Sequence, residues 1–143
     1  MTPEEFDLFW REPKCVNDDV VYSPVKDLPH WLEFERLVVL GSSREDICVG
    51  GTFNCRTGQI TFSFSIQGKA QVCRYDVNGA VHKNEGRTHK HFIKSPRCVS
   101  RQLPHAVRRD DLIGLTAPEV WVILCKEASL EHPRDFFDPK GHC

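Results

Sequence analysis

The sequence has no long apolar run, and no stretch approaches the roughly 18 consecutive apolar residues that a membrane-spanning helix needs. Its first ten residues, MTPEEFDLFW, carry acids where a secretory signal peptide carries positive charge. We therefore expect a cytoplasmic protein with no membrane partner. Internal repeats, low-complexity segments and a domain linker are also lacking, so residues 1–143 are predicted to form one domain.

The sequence contains no C-x-x-C pair, although it has seven cysteines. Their number is odd and their spacing is scattered, which does not fit the disulfide framework of a small secreted protein. We expect free thiols that are mostly buried as small apolar side chains. Metal binding by one or two of them, or a single reactive thiol, are the alternatives.

An excess of charge of one sign is also lacking, because the formal net charge is −1. This balance excludes general electrostatic attraction of the whole molecule to nucleic acid. The charge is uneven, however: residues 83–109 contain eight lysines and arginines against the single Glu85. We predict that this segment follows the backbone of a single RNA strand. The residues expected to bind nucleic acid are Lys83, Asn84, Arg87, Lys90, Lys94, Arg97 and Arg101.

Sequence patterns that typically begin a helix occur near both ends of the chain. Thr2 and Glu5 form a T-x-x-E capping box, followed by apolar residues at helical spacing up to Pro13. A second capping box opens at Thr116 and predicts a helix that ends near residue 126.

Short, closely spaced apolar segments lie between these helices and predict β-strands. We predict an α+β fold in which one antiparallel sheet, a meander of about five strands, packs against both helices. The region that contains the sequence motif described below spans about 45–127, and residues 128–143 are expected to form a loop-like tail. The predicted strands are 33–40, 45–53, 59–67, 70–77 and 88–93.

Titratable residues are concentrated in the segment CRYDVNGAVHKNEGRTHKHF. The period of two on a strand places Arg74 and Asp76 on one face, and likewise His89 and His91 on one face of the later strand. If the two strands are neighbours, one register brings both pairs together, whereas a slip of one residue separates them. His82 is expected in a loop above the strand ends.

In the favourable register, these residues could cleave RNA without a cofactor. One histidine would act as the base on a ribose 2′-hydroxyl and another as the acid to the leaving oxygen. Arg74 or Arg87 would stabilise the phosphate charge and Asp76 would orient a histidine. The predicted catalytic residues are thus Arg74, Asp76, His82, His89 and His91.

The same segment resembles a family of small bacterial and phage proteins with the pattern R-x-D-x-N-G-x-x-H-x-N followed by H-x-H. The residues that carry the resemblance are Arg74, Asp76, Asn78, Gly79, His82, Asn84, His89 and His91. More remotely, it is similar to the TumE-type toxins of toxin–antitoxin pairs. The resemblance implies a toxin-like or defence-related ribonuclease, with a cognate antitoxin or a host defence protein as its partner.

Two other interpretations fit the same residues. His89 and His91 could hold a divalent metal ion together with Asp76 or His82, which would make the protein a metal-dependent nuclease or hydrolase. Alternatively, the acidic N-terminal half and the basic middle could dock on a host complex, as in a non-enzymatic inhibitor encoded by a phage. The sequence leaves the RNA preference and the oligomeric state open.

Overall fold

A computed structural model describes residues 1–79, 86–95 and 103–143 of the protein. It confirms the α+β fold with an antiparallel sheet and a helix near each end of the chain. In these ranges the main sheet has seven strands, and its spatial order follows the chain order from β2 to β8. The strands are β1 Lys14–Cys15, β2 Ser23–Pro24, β3 Trp31–Val38, β4 Ile47–Asn54, β5 Ile60–Ile66, β6 Ala70–Val77, β7 His89–Phe92, β8 Ala106–Arg108 and β9 Leu130–Glu131.

The two helices begin at the predicted capping boxes. Helix α1 spans Pro3–Arg11 and is capped by Thr2 and Glu5, while α2 spans Ala117–Glu127 after its N-cap Thr116. Large aromatic side chains of α1 and α2 pack in the interior of the protein. No helix among the described residues has both the length and the apolar character needed to cross a lipid bilayer.

Both helices pack on the same face of the main sheet. Phe9 and Trp10 of α1 lie edge-on to Phe64 of β5, at ring-centroid distances of 5.9 and 5.6 Å. Trp121 of α2 lies 5.3 Å from the ring of Phe62, two residues earlier on the same strand. Successive side chains on a strand point to opposite faces, so the apolar residues of β5 face the helices and its polar residues face the other way.

The face without helices is polar. One cross-strand row runs through Thr52, Thr61, Asp76 and His89, and the adjacent row includes Ser63, Arg74 and His91. The Arg74–Asp76 pair and the His89–His91 pair, each predicted to share a face of its strand, lie in these two rows. The functional question therefore concerns this polar face.

The C-terminal tail contains more regular structure than the predicted loop. Strand β9 pairs in parallel with β1, and a short 3₁₀ helix covers Pro139–His142. Strands of two or three residues have too few alternating positions to show a period, which is why β1, β2, β8 and β9 were missed.

The expectation that the cysteines are free thiols was wrong for two of them. Cys55, which follows β4, forms a disulfide bond with Cys143 across 88 residues of chain. Cys15, Cys48, Cys73 and Cys125 are free. Spacing along the chain could not reveal this pair, because the sheet and the tail together bring the two residues close.

Candidate metal centre

The register between β6 and β7 is the one that brings the predicted pairs together. Arg74 lies opposite His91, and Asp76 lies opposite His89. On the other face, Cys73 lies opposite Phe92 in the same ladder, so the register that packs the core also assembles the polar cluster. Four of the five predicted catalytic residues thus lie together. The fifth, His82, lies outside the described residues.

The cluster is centred on the carboxylate of Asp76. Its Oδ2 atom lies 3.3 Å from Nε2 of His89 and 3.5 Å from Nε2 of His91. The ligand atoms of the three residues lie within 4.8 Å of one another, so this group could hold a metal ion. Zinc bonds of about 2.0–2.1 Å place two ligands of a tetrahedral site roughly 3.3–3.4 Å apart. The two distances from Oδ2, 3.3 and 3.5 Å, are close to this separation.

The backbone orients both imidazoles. Nδ1 of His91 lies 2.7 Å from the carbonyl oxygen of Leu103, and Nδ1 of His89 lies 3.2 Å from that of Gly86. A carbonyl oxygen can only accept, so each Nδ1 must carry the hydrogen and donate it. Metal-binding histidines have this arrangement, in which a backbone carbonyl holds the ring and directs the other nitrogen at the metal.

The carboxylate of Asp76 is also oriented by hydrogen bonds. Thr61 donates its hydroxyl to Oδ1 over 3.0 Å, and Nε of Arg74 donates to Oδ2 over 2.8 Å. Burial opposes ionisation of Asp76, but the charge of Arg74 and the hydrogen bonds from Arg74 and Thr61 favour the carboxylate, and its pKa is lowered. Asp76 is therefore an ionised ligand candidate, and each carboxylate oxygen has two lone pairs, enough for Arg74 and a metal ion together.

The imidazoles are more deeply buried than the sequence predicts. His89 is fully buried and His91 is 3% exposed, although both lie on the polar face of the sheet. Burial, followed by the positive charge of Arg74, lowers the pKa of His91 to about 4. His91 is therefore neutral near pH 7, and neutral imidazole is the form that binds metals.

A polar groove of about 240 Å³ begins beside this cluster and crosses the sheet towards β3. Thr61 lines the groove while its hydroxyl bonds to Asp76. Gln71 also lines the groove, and its side-chain oxygen accepts a hydrogen bond of 3.0 Å from Arg74. The groove therefore lies beside hydrogen-bond partners of Asp76 and Arg74.

The predicted nucleic-acid-binding residues are distributed over different parts of the molecule. Arg87 and Lys94 are exposed and flank β7 at its two ends. Lys90 lies on the helix-covered face instead, with its ammonium group 4.1 Å from the ring centre of Trp10. It stabilises the packing of α1 there and is not near the cluster. Lys83, Asn84, Arg97 and Arg101 lie outside the described residues.

Sequence reasoning missed the residues that support the cluster. Thr61 alternates with apolar residues on its strand, but no local signal indicates that it bonds to a carboxylate 15 residues later. Gly86 and Leu103 contribute only backbone carbonyls, which any residue type could supply. Their roles follow from the pairing of strands and have no signature in side-chain chemistry.

Comparisons with known proteins show no match of this chain to a family model, a curated protein or a solved structure. The resemblance of the 74–91 segment to the phage family and to TumE-type toxins therefore stays a prediction. Function must be inferred from the geometry of the site.

Proposed function

We propose that the protein is an endoribonuclease in which Asp76, His89 and His91 hold a divalent metal ion and Arg74 binds the phosphate. The orientation of the two imidazoles carries this proposal. Each donates Nδ1–H to a backbone carbonyl and presents Nε2 to the same carboxylate oxygen. Hydrogen bonds to all three candidate ligands, from residues outside the set, fit a metal centre.

Burial favours a metal centre over direct proton transfer by the histidines. A general base or acid must come within hydrogen-bonding distance of the proton that it moves. The Nε2 atoms of His89 and His91 are buried and face Asp76, and the Nδ1 atoms face backbone carbonyls. The ligand set of two imidazoles and one carboxylate suits zinc, and also iron or manganese.

The reaction proposed is hydrolysis of an RNA phosphodiester. Oxygen from water forms a bond to phosphorus, the bond from phosphorus to the leaving ribose oxygen breaks, and that oxygen takes a proton from the water. The metal ion would supply Lewis-acid stabilisation of the phosphoryl oxygens and lower the pKa of bound water. The side chain of Arg74 is 19% exposed and could donate to a phosphate oxygen from beside the cluster.

The resemblance of the 74–91 segment is the basis for proposing a biological role. It supports a toxin-like or defence-related role in the cytoplasm, with RNA as the substrate and a cognate antitoxin or host defence protein as the partner. The exposed cations Arg87 and Lys94, at the two ends of β7, support RNA binding beside the cluster.

The test combines metal binding with RNA cleavage. Protein stripped with EDTA would be titrated with Zn²⁺ and Mn²⁺ by calorimetry, and cleavage of a labelled RNA followed with and without each metal. We expect one metal ion to bind per chain, and we expect the RNA to be cleaved only when metal is added. Asp76→Asn and His91→Gln should weaken metal binding by more than about 100-fold, since loss of a ligand exceeds the 10–100-fold effect of a supporting group. His142→Ala, an exposed histidine outside the cluster, is the control.

Each outcome distinguishes the hypotheses. Cleavage that persists in EDTA would overturn the metal centre and support histidine acid–base catalysis. Stoichiometric metal binding without cleavage of RNA would keep the metal site and reject the nuclease. Neither binding nor cleavage by folded wild-type protein would reject both. The wild-type arms remain decisive even if a variant does not fold.

A further inference from the structure

Strand β6 contains a β-bulge beside the cluster. The ladder with β5 pairs Phe64 with Cys73. The next pair is Ser65 with Gln71, so Val72 is the extra residue of the bulge. Val72 and Cys73 are both fully buried. An extra residue of this kind bends the strand and changes which of its side chains share a face.

The bulge brings Gln71 to the polar face of the sheet. In a regular strand, residues three positions apart point to opposite faces, so Gln71 and Arg74 would be separated by the sheet. With Val72 inserted between them, both lie on the polar face, and Nη1 of Arg74 donates to Oε1 of Gln71 over 3.0 Å. Bulges are over-represented next to active sites, where they redirect a side chain.

The guanidinium group of Arg74 is thus held at two of its three nitrogens. Nε donates to Oδ2 of Asp76 over 2.8 Å, and Nη1 donates to Gln71. The bond at Nε alone would act as a pivot, whereas the second bond fixes the plane of the group. Of the five N–H donors of an arginine, two are used here, and the other three have no acceptor among the described residues. An arginine binds phosphate most specifically through two parallel N–H bonds, which requires a defined plane.

From this geometry we infer that Gln71 is a positioning residue, which fixes the plane of Arg74 so that its remaining donors meet the scissile phosphate. The inference rests on the proposed nuclease function. Gln71 acts on the phosphate through Arg74, and the bond between Arg74 and Asp76 does not depend on it. Loss of Gln71 should therefore affect the phosphate and leave metal binding intact.

A purely structural role for Gln71 predicts a different result. If Gln71 only stabilised the bulge, its loss would lower activity whether or not Arg74 is present. A residue that acts through Arg74 has no further effect once Arg74 is removed, because the effects of coupled residues do not add. A double-mutant cycle of the two residues therefore separates the two roles.

The experiment compares Gln71→Met, Arg74→Ala and the double variant with wild type. Methionine keeps the length of the side chain and removes the acceptor. Cleavage of a labelled RNA would be measured with Zn²⁺ or Mn²⁺, and binding of a uridine 12-mer by fluorescence anisotropy in EDTA. We expect Gln71→Met to lower both about tenfold, the usual effect of losing one hydrogen bond to a charged group, and to have no effect in the Arg74→Ala background. Metal affinity should not change, and Gln67→Met, at an exposed glutamine in the turn after β5, is the control.

Wild-type protein allows a test that needs no variant of Gln71. With both hydrogen bonds in place, rotation about the Nε–Cζ bond is slow, so the two Nη nitrogens of Arg74 should give separate signals in ¹⁵N NMR. These signals would be assigned by their loss in Arg74→Ala. One averaged signal would reject the inference even if Gln71→Met does not fold.

The outcomes separate this inference from the proposed function. Weaker RNA binding by Gln71→Met that vanishes in the Arg74→Ala background, without any cleavage by wild type, would support the positioning role and reject the nuclease. Cleavage that Gln71→Met leaves unchanged, or lowers equally in the Arg74→Ala background, would reject the positioning role alone. Absence of both RNA binding and cleavage by folded wild-type protein would reject both proposals.

Discussion

Asp76 is an ionisable side chain with only 11% exposure, so its charge must be compensated by its neighbours. Thr61 and Arg74 supply that compensation from two adjacent strands. A buried carboxylate with this many partners is costly to assemble, and replacement by a packed apolar core is often at least as stable. This cost is consistent with the metal centre that we propose.

Glu127 provides a residue-scale test of electrostatics away from the cluster. It accepts a hydrogen bond of 2.7 Å from Tyr75 and contacts Arg109 at 2.6 Å. Burial opposes its ionisation, but the hydrogen bonds from Arg109 and Tyr75 outweigh this and lower its pKa below the usual 4.5. Its contribution to the free energy of unfolding is therefore complete above about pH 4.5 and is lost as the pH falls through the lowered pKa.

We predict that Glu127→Gln lowers the free energy of unfolding by about 1 kcal/mol at pH 7, a small value because the carboxylate is partly exposed. The difference from wild type should shrink as the pH falls below about 4.5, since the wild-type carboxylate becomes protonated there. Urea unfolding at pH 7, 4.5 and 3 would measure it, with exposed Glu131→Gln as the control. A difference that stays constant with pH would contradict the assignment.

At the scale of elements, capping residues determine where the helices start. In α1, the backbone N–H of Glu5 donates to the hydroxyl of Thr2 over 3.1 Å, and the backbone N–H of Thr2 donates to the carboxylate of Glu5 over 2.7 Å. This reciprocal pair satisfies two backbone donors that the helix itself cannot. Helix α1 needs this cap because it is nine residues long, below the length at which isolated helices are stable.

Thr2→Ala should lower the free energy of unfolding by about 1 kcal/mol, the usual effect of losing an N-cap side chain. Thr2→Ser keeps the hydroxyl and should stay close to wild type. The midpoint of denaturant unfolding measures both, and metal binding should be the same in both because α1 packs on the opposite face of the sheet from the cluster. Equal loss in the alanine and serine variants would show that the hydroxyl does not cap.

At the scale of the whole molecule, the Cys55–Cys143 disulfide joins the end of the chain to the turn after β4. It closes a loop of 88 residues, which restricts the unfolded chain much more than a short loop would. The bond lies outside the polar groove, so it stabilises the fold without forming part of the site.

Reduction, or the substitution Cys143→Ser, should lower the free energy of unfolding by about 2–4 kcal/mol. Unfolding with and without dithiothreitol would measure the effect in wild type. Cys15→Ser, which removes a free thiol, should leave the response to dithiothreitol intact. A wild-type unfolding midpoint that does not change on reduction would show that the bond does not form in solution.

Local sequence patterns were sufficient to predict much of the architecture. Capping boxes located both helices, and the period of two assigned Arg74 and Asp76 to one face of β6, because side-chain direction depends only on position along a strand. The register between β6 and β7 was left open, since both alternatives satisfy each strand alone. Packing of Cys73 and Phe92 against the helices selects one of them, and that choice brings Asp76 and His89 together.

Burial of the histidines and pairing of the distant cysteines also depend on the assembled fold. His89 and His91 lie on the polar face, which predicts exposure, yet the carbonyls of Gly86 and Leu103 contact them in the fold. Cys55 and Cys143 meet only after the sheet forms and the tail packs on it. In both cases, no periodic sequence pattern relates the residues that come into contact. These contacts can therefore be identified only in the folded structure.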